Sequence, residues 1–309
     1  MATTGLDVRL PDALHGRILE KKQRLQSKGR LPPSVLKEIQ AIMQVEFVYN
    51  SNSIEGVTLS LGETAIALRG MTVSGKPIDD VLAAQNHRKA LRLVKQIAFT
   101  RKPVLEHDIL EIHRAIMSGL MSNAGEYRNS DVRIGGASFT PPPHYEVPQH
   151  MKELVTIINT NPDELRPVEL AAYAHFTLAW VHPFDNGNGR LARLLMNLLL
   201  TRAGYPFAVV KKVDRKKYIA ALDTISKDGN FQPFLTYIAR CVEQTLDIYL
   251  LQGRKKEKLV PLATLAKGTP YSAEYLSLLA RKGMLDAVKV GRVWNSTKST
   301  ISSYVEQHA

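Results

Sequence analysis

Within twelve residues the chain places a histidine, two asparagines, two glycines and two arginines: His182-Pro183-Phe184-Asp185-Asn186-Gly187-Asn188-Gly189-Arg190-Leu191-Ala192-Arg193. These are the residue types needed to move a phosphate-containing group. Gly187 and Gly189 let the backbone curl so that amide N–H groups converge on an anion, and the helix that follows turns its positive end to the same spot. Arg190 and Arg193 are three apart and project from one face of that helix. His182, at the far lip of the loop, is the candidate general base for an incoming hydroxyl.

A helix–loop–helix corner with no catalytic role would also use a proline and a Gly-Asn-Gly turn. The full set of matched types is what separates this run from such a corner. It resembles the signature of the Fic family, which reads His-Pro-Phe, any residue, Asp or Glu, Gly-Asn-Gly-Arg, two residues, Arg. The resemblance implies transfer of AMP from ATP to a protein hydroxyl, with His182 catalytic and Gly187, Asn188, Gly189, Arg190 and Arg193 on the nucleotide. One position departs: where the family has an acidic residue that holds Mg2+, this chain has Asn186, and the carboxylate of Asp185 sits one place earlier. Magnesium favours hard, charged oxygens. Asn186 through its amide oxygen, or Asp185 in its stead, is therefore the candidate ligand, and weakened metal-dependent transfer is expected.

Upstream lies Ser51-Asn52-Ser53-Ile54-Glu55-Gly56. Alone, this pattern also fits a helix ended by a glycine C-cap. In the family, Ser/Thr-x-x-x-Glu-Gly/Asn marks an inhibitory helix, which makes Ser51, Glu55 and Gly56 the inhibitory residues and Glu55 the partner of Arg193. A carboxylate there would take the place of the ATP γ-phosphate. Glu55 could equally orient a water, so removal of AMP from the same target is also open.

Gly125-Glu126-Tyr127-Arg128 is followed by Val132-Arg133-Ile134-Gly135-Gly136 and by Thr140-Pro141-Pro142-Pro143. The alternation closed by Gly-Gly and prolines predicts a short exposed β-hairpin. Its place resembles the Fic flap, which implies that 127–143 holds a target protein by strand addition and that Ile134 and Gly135 meet the nucleotide. Tyr218, in Lys-Lys-Tyr-Ile-Ala-Ala-Leu, resembles the family's aromatic at the adenosine pocket, although a tyrosine on an amphipathic helix often just packs.

The chain has 309 residues, a net charge of +12 and one cysteine, Cys241. That length predicts two or three units with a sizeable core. A lone cysteine excludes an intrachain disulfide framework, and Met1 to Gly16 lack a signal-peptide pattern, so a cytoplasmic location is expected. The apolar run from Leu194 to Leu200 is too short to cross a bilayer and reads as a buried catalytic helix.

Helical periodicity runs through Pro33–Tyr49, Leu82–Ile97, Glu106–Met117, Pro167–Val181, Leu191–Ala203 and Phe231–Leu251. The fold expected is mainly α: a Fic helical core with a β-hairpin flap, plus a small C-terminal winged helix-turn-helix domain. The expected divisions are 1–104 with the inhibitory motif, 105–252 as catalytic core and helical extension, and 253–309. The last holds ten Lys or Arg and four Asp or Glu. It reads as helices at 261–266, 272–281 and 298–307 around a two-stranded wing at 287–295. This resembles excisionase-type modules, with Arg281, Lys282, Lys289, Arg292 and Lys298 as candidate DNA contacts through 259–309. The alternative function is a DNA-binding regulator whose core lost its chemistry through Asn186 and only senses nucleotide. A homodimer is left open.

Overall fold

The computed structural model describes residues 6–27, 32–135, 138–252, 257–290 and 293–308. In chain order the α-helices are α1 (Asp12–Ser27), α2 (Pro33–Ile54), α3 (Leu61–Ala67), α4 (Ile78–Thr100), α5 (Glu106–Met117), α6 (Val147–Thr160) and α7 (Pro167–Val181). They continue with α8 (Asn188–Arg202), α9 (Arg215–Asp228), α10 (Gln232–Gln252), α11 (Leu262–Leu265), α12 (Ala273–Lys282) and α13 (Lys298–His308). Three short strands, β1 (Val260–Pro261), β2 (Val288–Val290) and β3 (Val293–Ser296), complete the list. The mainly helical expectation holds, and no helix among the described residues is long and apolar enough to cross a membrane.

Packing divides the chain into two compact units, 1–11 with 42–241 and 12–41 with 242–309. In the first, α8 is the central helix. Asn188 and every residue from Arg190 to Leu200 are buried, as expected of a helix enclosed on all sides rather than amphipathic. It packs on α7, with α4 and α5 also against it. Local signals set the ends of this pair. Pro167 opens α7, where the Arg166 amide donates to Glu169 Oε2 at 2.7 Å, and Pro183 prevents the helix from continuing. Helix α8 begins after Gly187, whose φ of 82° suits glycine.

The second unit joins α1 to the C-terminal elements. Leu262, Leu276, Leu279, Leu285, Ile301 and Tyr304 form its core. Its sheet is antiparallel in the order β1-β3-β2, with Lys289 opposite Trp294. Beneath α1, Lys21 is 3% exposed and its ammonium lies 2.7 Å from Asp247 and 3.3 Å from Glu243. Arg17 also reaches Glu243, at 3.0 Å, and Arg24 pairs with Asp286.

The expected flap hairpin is not formed: 127–135 and 138–143 contain no strand among the described residues, and Gly136 lies outside them. A two-stranded hairpin without a covering layer is marginal in water, and Pro141, Pro142 and Pro143 have no amide to pair. The segment is tied down by side chains instead. Asp131 accepts from the His144 amide at 2.8 Å, and Asp223 accepts from the Ser138 amide at 2.9 Å.

Candidate active site

His182 ends α7 with φ 50°, its amide donating to the Leu178 carbonyl at 3.0 Å. Few non-glycine residues adopt this left-handed conformation, and histidine is among the more frequent of them. The turn swings the imidazole off the helix axis. Nδ1 lies 3.2 Å from the Ala179 carbonyl, so Nδ1 carries the proton and donates it, leaving the Nε2 lone pair for a substrate. Burial, joined by the positive charge of Arg128, holds the imidazole below its ordinary value of 6.5, against the bond to Ala179 and the carboxylate of Glu55. The group is therefore a neutral base at pH 7.

The loop after His182 is fastened from several sides. The Asn188 amide bridges Phe184 both ways, accepting from its N–H at 3.0 Å and donating to its carbonyl at 2.7 Å. Asn188 thus shapes the loop, with one N–H of its side-chain amide still uncommitted. The Gly187 amide is also engaged, donating to Asn186 Oδ1 at 2.7 Å. A Cβ at Gly187 would lie 2.9 Å from Met117 Sδ and 3.2 Å from His113 Nε2, so the close approach as well as the φ requires glycine. The anion-binding capacity falls instead to the first-turn amides of α8 at Asn188, Gly189 and Arg190, which have no intrahelical acceptor.

Two residues outside the expected site hold this loop. His113 on α5 stacks on Phe184 at 3.6 Å and 9°. Its Nδ1 accepts from the Gly125 amide at 2.9 Å, so Nε2 is protonated and donates to the Asn186 carbonyl at 2.9 Å. Arg128, 3% exposed, donates to the carbonyls of His182 at 2.9 Å, Ser130 at 2.9 Å and Pro142 at 2.5 Å. It fixes both ends of 128–142 to the loop that begins at His182. No periodicity or spacing pointed to His113, which is 69 positions before His182. Arg128 stood in a recognised run but its carbonyl clamp exists only in three dimensions.

Arg193 is 1% exposed and Arg190 5%. Arg193 Nε donates to Ser51 Oγ at 2.8 Å, and Nη2 donates to the Ser51 carbonyl at 2.8 Å and to Glu55 Oε1 at 2.7 Å. Burial alone would raise the Glu55 carboxyl, but the charge and hydrogen bond of Arg193 prevail and hold it below the ordinary range. A Cβ built on Gly189 would stand 2.4 Å from Glu55 Oε1. The carboxylate therefore lies directly over the first turn of α8, where an anion is favoured. Glu55 follows the end of α2, and Gly56 turns the chain with φ 99°. That last turn is braced by Asn52 Oδ1 on His87 Nδ1 at 2.9 Å and by Arg215 Nε donating to the Ile54 carbonyl at 2.8 Å.

Asn186 does not fit a magnesium site. Asn186 Oδ1 already accepts from the Gly187 amide and faces Arg190 Nη2 at 3.4 Å, a surrounding made for a lone pair rather than a cation. Asp185 Oδ2 accepts from Asn123 at 2.7 Å. No group of three or more His, Cys, Asp or Glu that could hold a metal occurs among the described residues.

Tyr218 does not present its ring to an adenosine pocket. It is 2% exposed, and its hydroxyl lies 2.9 Å from His175 Nε2. His175 is a packed core residue, 0% exposed. Ile134 is half-buried and Gly135 exposed in the strandless segment. In the second unit Arg281 and Lys282 end α12, Lys289 lies on β2 and Lys298 opens α13, all exposed; Arg292 is outside the described residues.

Residues 103–200 match the Fic/DOC family. The chain is 36% identical over 272 residues to protein adenylyltransferase Fic of Aedes aegypti, covering 84% of this chain and 53% of that protein. It is 35% identical over 240 residues to the protein of the same name from Nematostella vectensis, covering 76% and 55%. The chain thus spans about half the length of these relatives. Among solved structures, Fic-1 of C. elegans is similar at a TM-score of 0.70 with 30% identity, over 77% of this chain and 71% of that one. A Fic-domain-containing signaling protein from Bacteroides thetaiotaomicron is similar at a TM-score of 0.73 with 30% identity, over 78% of this chain and 99% of that one. With relatives of this identity over most of its length and the same helical core, this chain belongs to the Fic/DOC family.

Proposed function

We propose that this chain is a protein adenylyltransferase that moves AMP from ATP to a Ser, Thr or Tyr hydroxyl, and that Glu55 keeps it inhibited. The observation that carries this reading is the Glu55 carboxylate over the first turn of α8, bonded to Arg193 at 2.7 Å. An anion already sits where a phosphate would be favoured, and it engages the arginine that would hold that phosphate.

In the reaction, His182 Nε2 takes the hydroxyl proton as the target oxygen bonds to the α-phosphorus. The bond from that phosphorus to the bridging oxygen breaks, and pyrophosphate leaves. Arg190, Arg193 and the α8 amides hold the triphosphate, so catalysis rests on positioning and electrostatics. No step is assigned to magnesium. The segment 127–143, anchored by Arg128, is the proposed seat of the target protein, whose backbone would supply the missing strand partner. A cytoplasmic location belongs to the same proposal.

A nucleic-acid role for 259–309 has less support. Glu274, Tyr275 and Leu278 are exposed on α12 beside Arg281 and Lys282, a mixed face rather than the basic one that phosphate contacts require.

The test is transfer of label from the α-phosphate of ATP, with cell lysate as target, by the native chain, Glu55→Gly, and Glu55→Gly with His182→Ala. Label in the single variant that vanishes in the double variant supports the proposal. Absence of label from all three overturns it.

A further inference from the structure

Residues 211–217 read Lys-Lys-Val-Asp-Arg-Lys-Lys, five cations to one carboxylate. They run into the first turn of α9, which holds no acidic residue. A cation there faces the positive end of the helix, so Arg215, Lys216 and Lys217 all stand where local electrostatics disfavours them. Lys212, Arg215, Lys216 and Lys217 are exposed, and none of the five cations forms an ion pair among the described residues. Charges that merely keep a helix solvated are usually interleaved with opposite ones three or four positions away. The far end of α9 follows that habit, with Lys227 2.6 Å from Asp223. The start does not.

The same segment holds the end of α2. The Lys212 amide donates to Asn50 Oδ1 at 2.9 Å, and Arg215 Nε donates to the Ile54 carbonyl at 2.8 Å. Ile54 directly precedes Glu55. The two terminal nitrogens of Arg215 make no hydrogen bond among the described residues. A carboxylate is a stronger acceptor for a guanidinium than a peptide carbonyl is, and it engages two nitrogens at once.

We propose that 211–217 is a docking surface for an acidic stretch of a protein partner, and that capture of Arg215 by a partner carboxylate withdraws the donor from Ile54 and loosens the turn carrying Glu55. The release of Glu55 rests on the inhibitory role proposed above; the docking does not. Charge alone would also suit nucleic acid, but single-stranded bases need open aromatic faces. Tyr237 is 7% exposed, with Lys217 Nζ 5.9 Å from its ring centre, and half-buried Tyr49 has Lys212 Nζ at 5.9 Å. What stands open amid the cations is Val213, 86% exposed, an apolar contact for a peptide side chain ringed by charge.

The probe is fluorescent poly-L-glutamate added to the full chain. Its binding is read by anisotropy, ATP binding is measured by calorimetry with and without it, and label transfer is followed in parallel. The peptide should raise the ATP affinity of the native chain about tenfold, the scale of one hydrogen bond to a charged group. It should have no such effect on Glu55→Gly, where nothing remains to be released. Lys212→Gln, Lys216→Gln and Lys217→Gln together should weaken peptide binding about tenfold or more and abolish the gain. Arg215→Met should raise ATP affinity without the peptide and make it indifferent to the peptide. Peptide binding that survives the triple substitution would overturn the docking surface. Unchanged ATP affinity, or an equal gain in Glu55→Gly, would overturn the coupling. A single-stranded DNA oligonucleotide that binds more tightly than the peptide, and is lost in the same triple variant, would overturn the protein partner in favour of nucleic acid. Peptide-dependent ATP binding without label transfer by any variant would uphold the docking surface and overturn the adenylyltransferase reading.

Discussion

Gly189→Ala offers a direct test of whether the Glu55 carboxylate and a triphosphate compete for one place. The new methyl would stand 2.4 Å from Glu55 Oε1 and 3.3 Å from Arg193 Nη1. Gly189 lies in the first turn of α8 with no positive φ, so alanine suits the backbone and favours the helix. What must yield is the end of a flexible side chain. An ordinary contact begins at 3.4 Å, so the carboxylate oxygen retreats by about 1 Å. The bond from Arg193 Nη2, now 2.7 Å, then passes out of hydrogen-bonding range. A hydrogen bond between charged groups contributes about 1.5 to 3 kcal/mol. The Glu55 side chain is 34% exposed, and water replaces part of the loss, so about 1 to 2 kcal/mol is the expected weakening. That is about 5- to 30-fold in the population with Glu55 released.

The same methyl obstructs an outer phosphate bound in the carboxylate's place. ATP affinity is therefore to be measured calorimetrically in the native chain, Gly189→Ala, Glu55→Gly and the double variant, with AMP as control. Gly189→Ala should be more harmful to ATP binding by about 5- to 30-fold when Glu55 is absent than when it is present, because only then is no inhibition relieved. Equal effects in the two backgrounds would refute a shared site. So would an equal loss of AMP binding, which would point to a damaged loop.

Other outcomes follow from the same geometry. Asn186→Asp replaces a neutral oxygen beside the loop with a charged one and should raise magnesium-stimulated transfer in the Glu55→Gly background by about tenfold; titration of transfer rate against magnesium checks this. Because burial holds the His182 imidazole below 6.5, its base form persists as pH falls past that value. The acid limb of kcat/KM in Glu55→Gly should therefore have its midpoint below pH 6.5, and removal of the Glu55 carboxylate lowers it further; a midpoint above 6.5 would exclude this role for His182. Lys21→Met takes away the cation beside Asp247 and leaves Glu243 with Arg17 alone, and should destabilise the second unit by about 3 kcal/mol, read as a lower midpoint in denaturant. His113→Leu frees the Asn186 carbonyl and the Gly125 amide together, so transfer should fall by about tenfold or more and the melting temperature should fall as well; an unchanged rate would show that the loop needs no such pin.

The sequence by itself determined the chemistry-bearing loop and the two helices that carry it, because these depend on local rules. Pro167, Pro183 and Gly187 act through their own backbone dihedrals, and the apolar run after Arg193 demands an enclosed helix whatever surrounds it. Glu55 and Arg193 could be paired from the family pattern, and their 2.7 Å bond bears this out. Helices α1 and α6 were not legible. Lys21 interrupts the stripe of Leu14 and Ile18, and burial of that charge was decided by tertiary packing; Pro148 at the start of α6 is a first-turn proline that local rules allow. The hairpin failed because strand pairing needs a partner that a local sequence pattern cannot supply. Only the tertiary structure engaged Asn188 and the Gly187 amide within the loop, buried Tyr218 against His175, and brought His113 under Asn186. Each of these is a hydrogen bond between atoms whose separation along the chain carries no information about their separation in space.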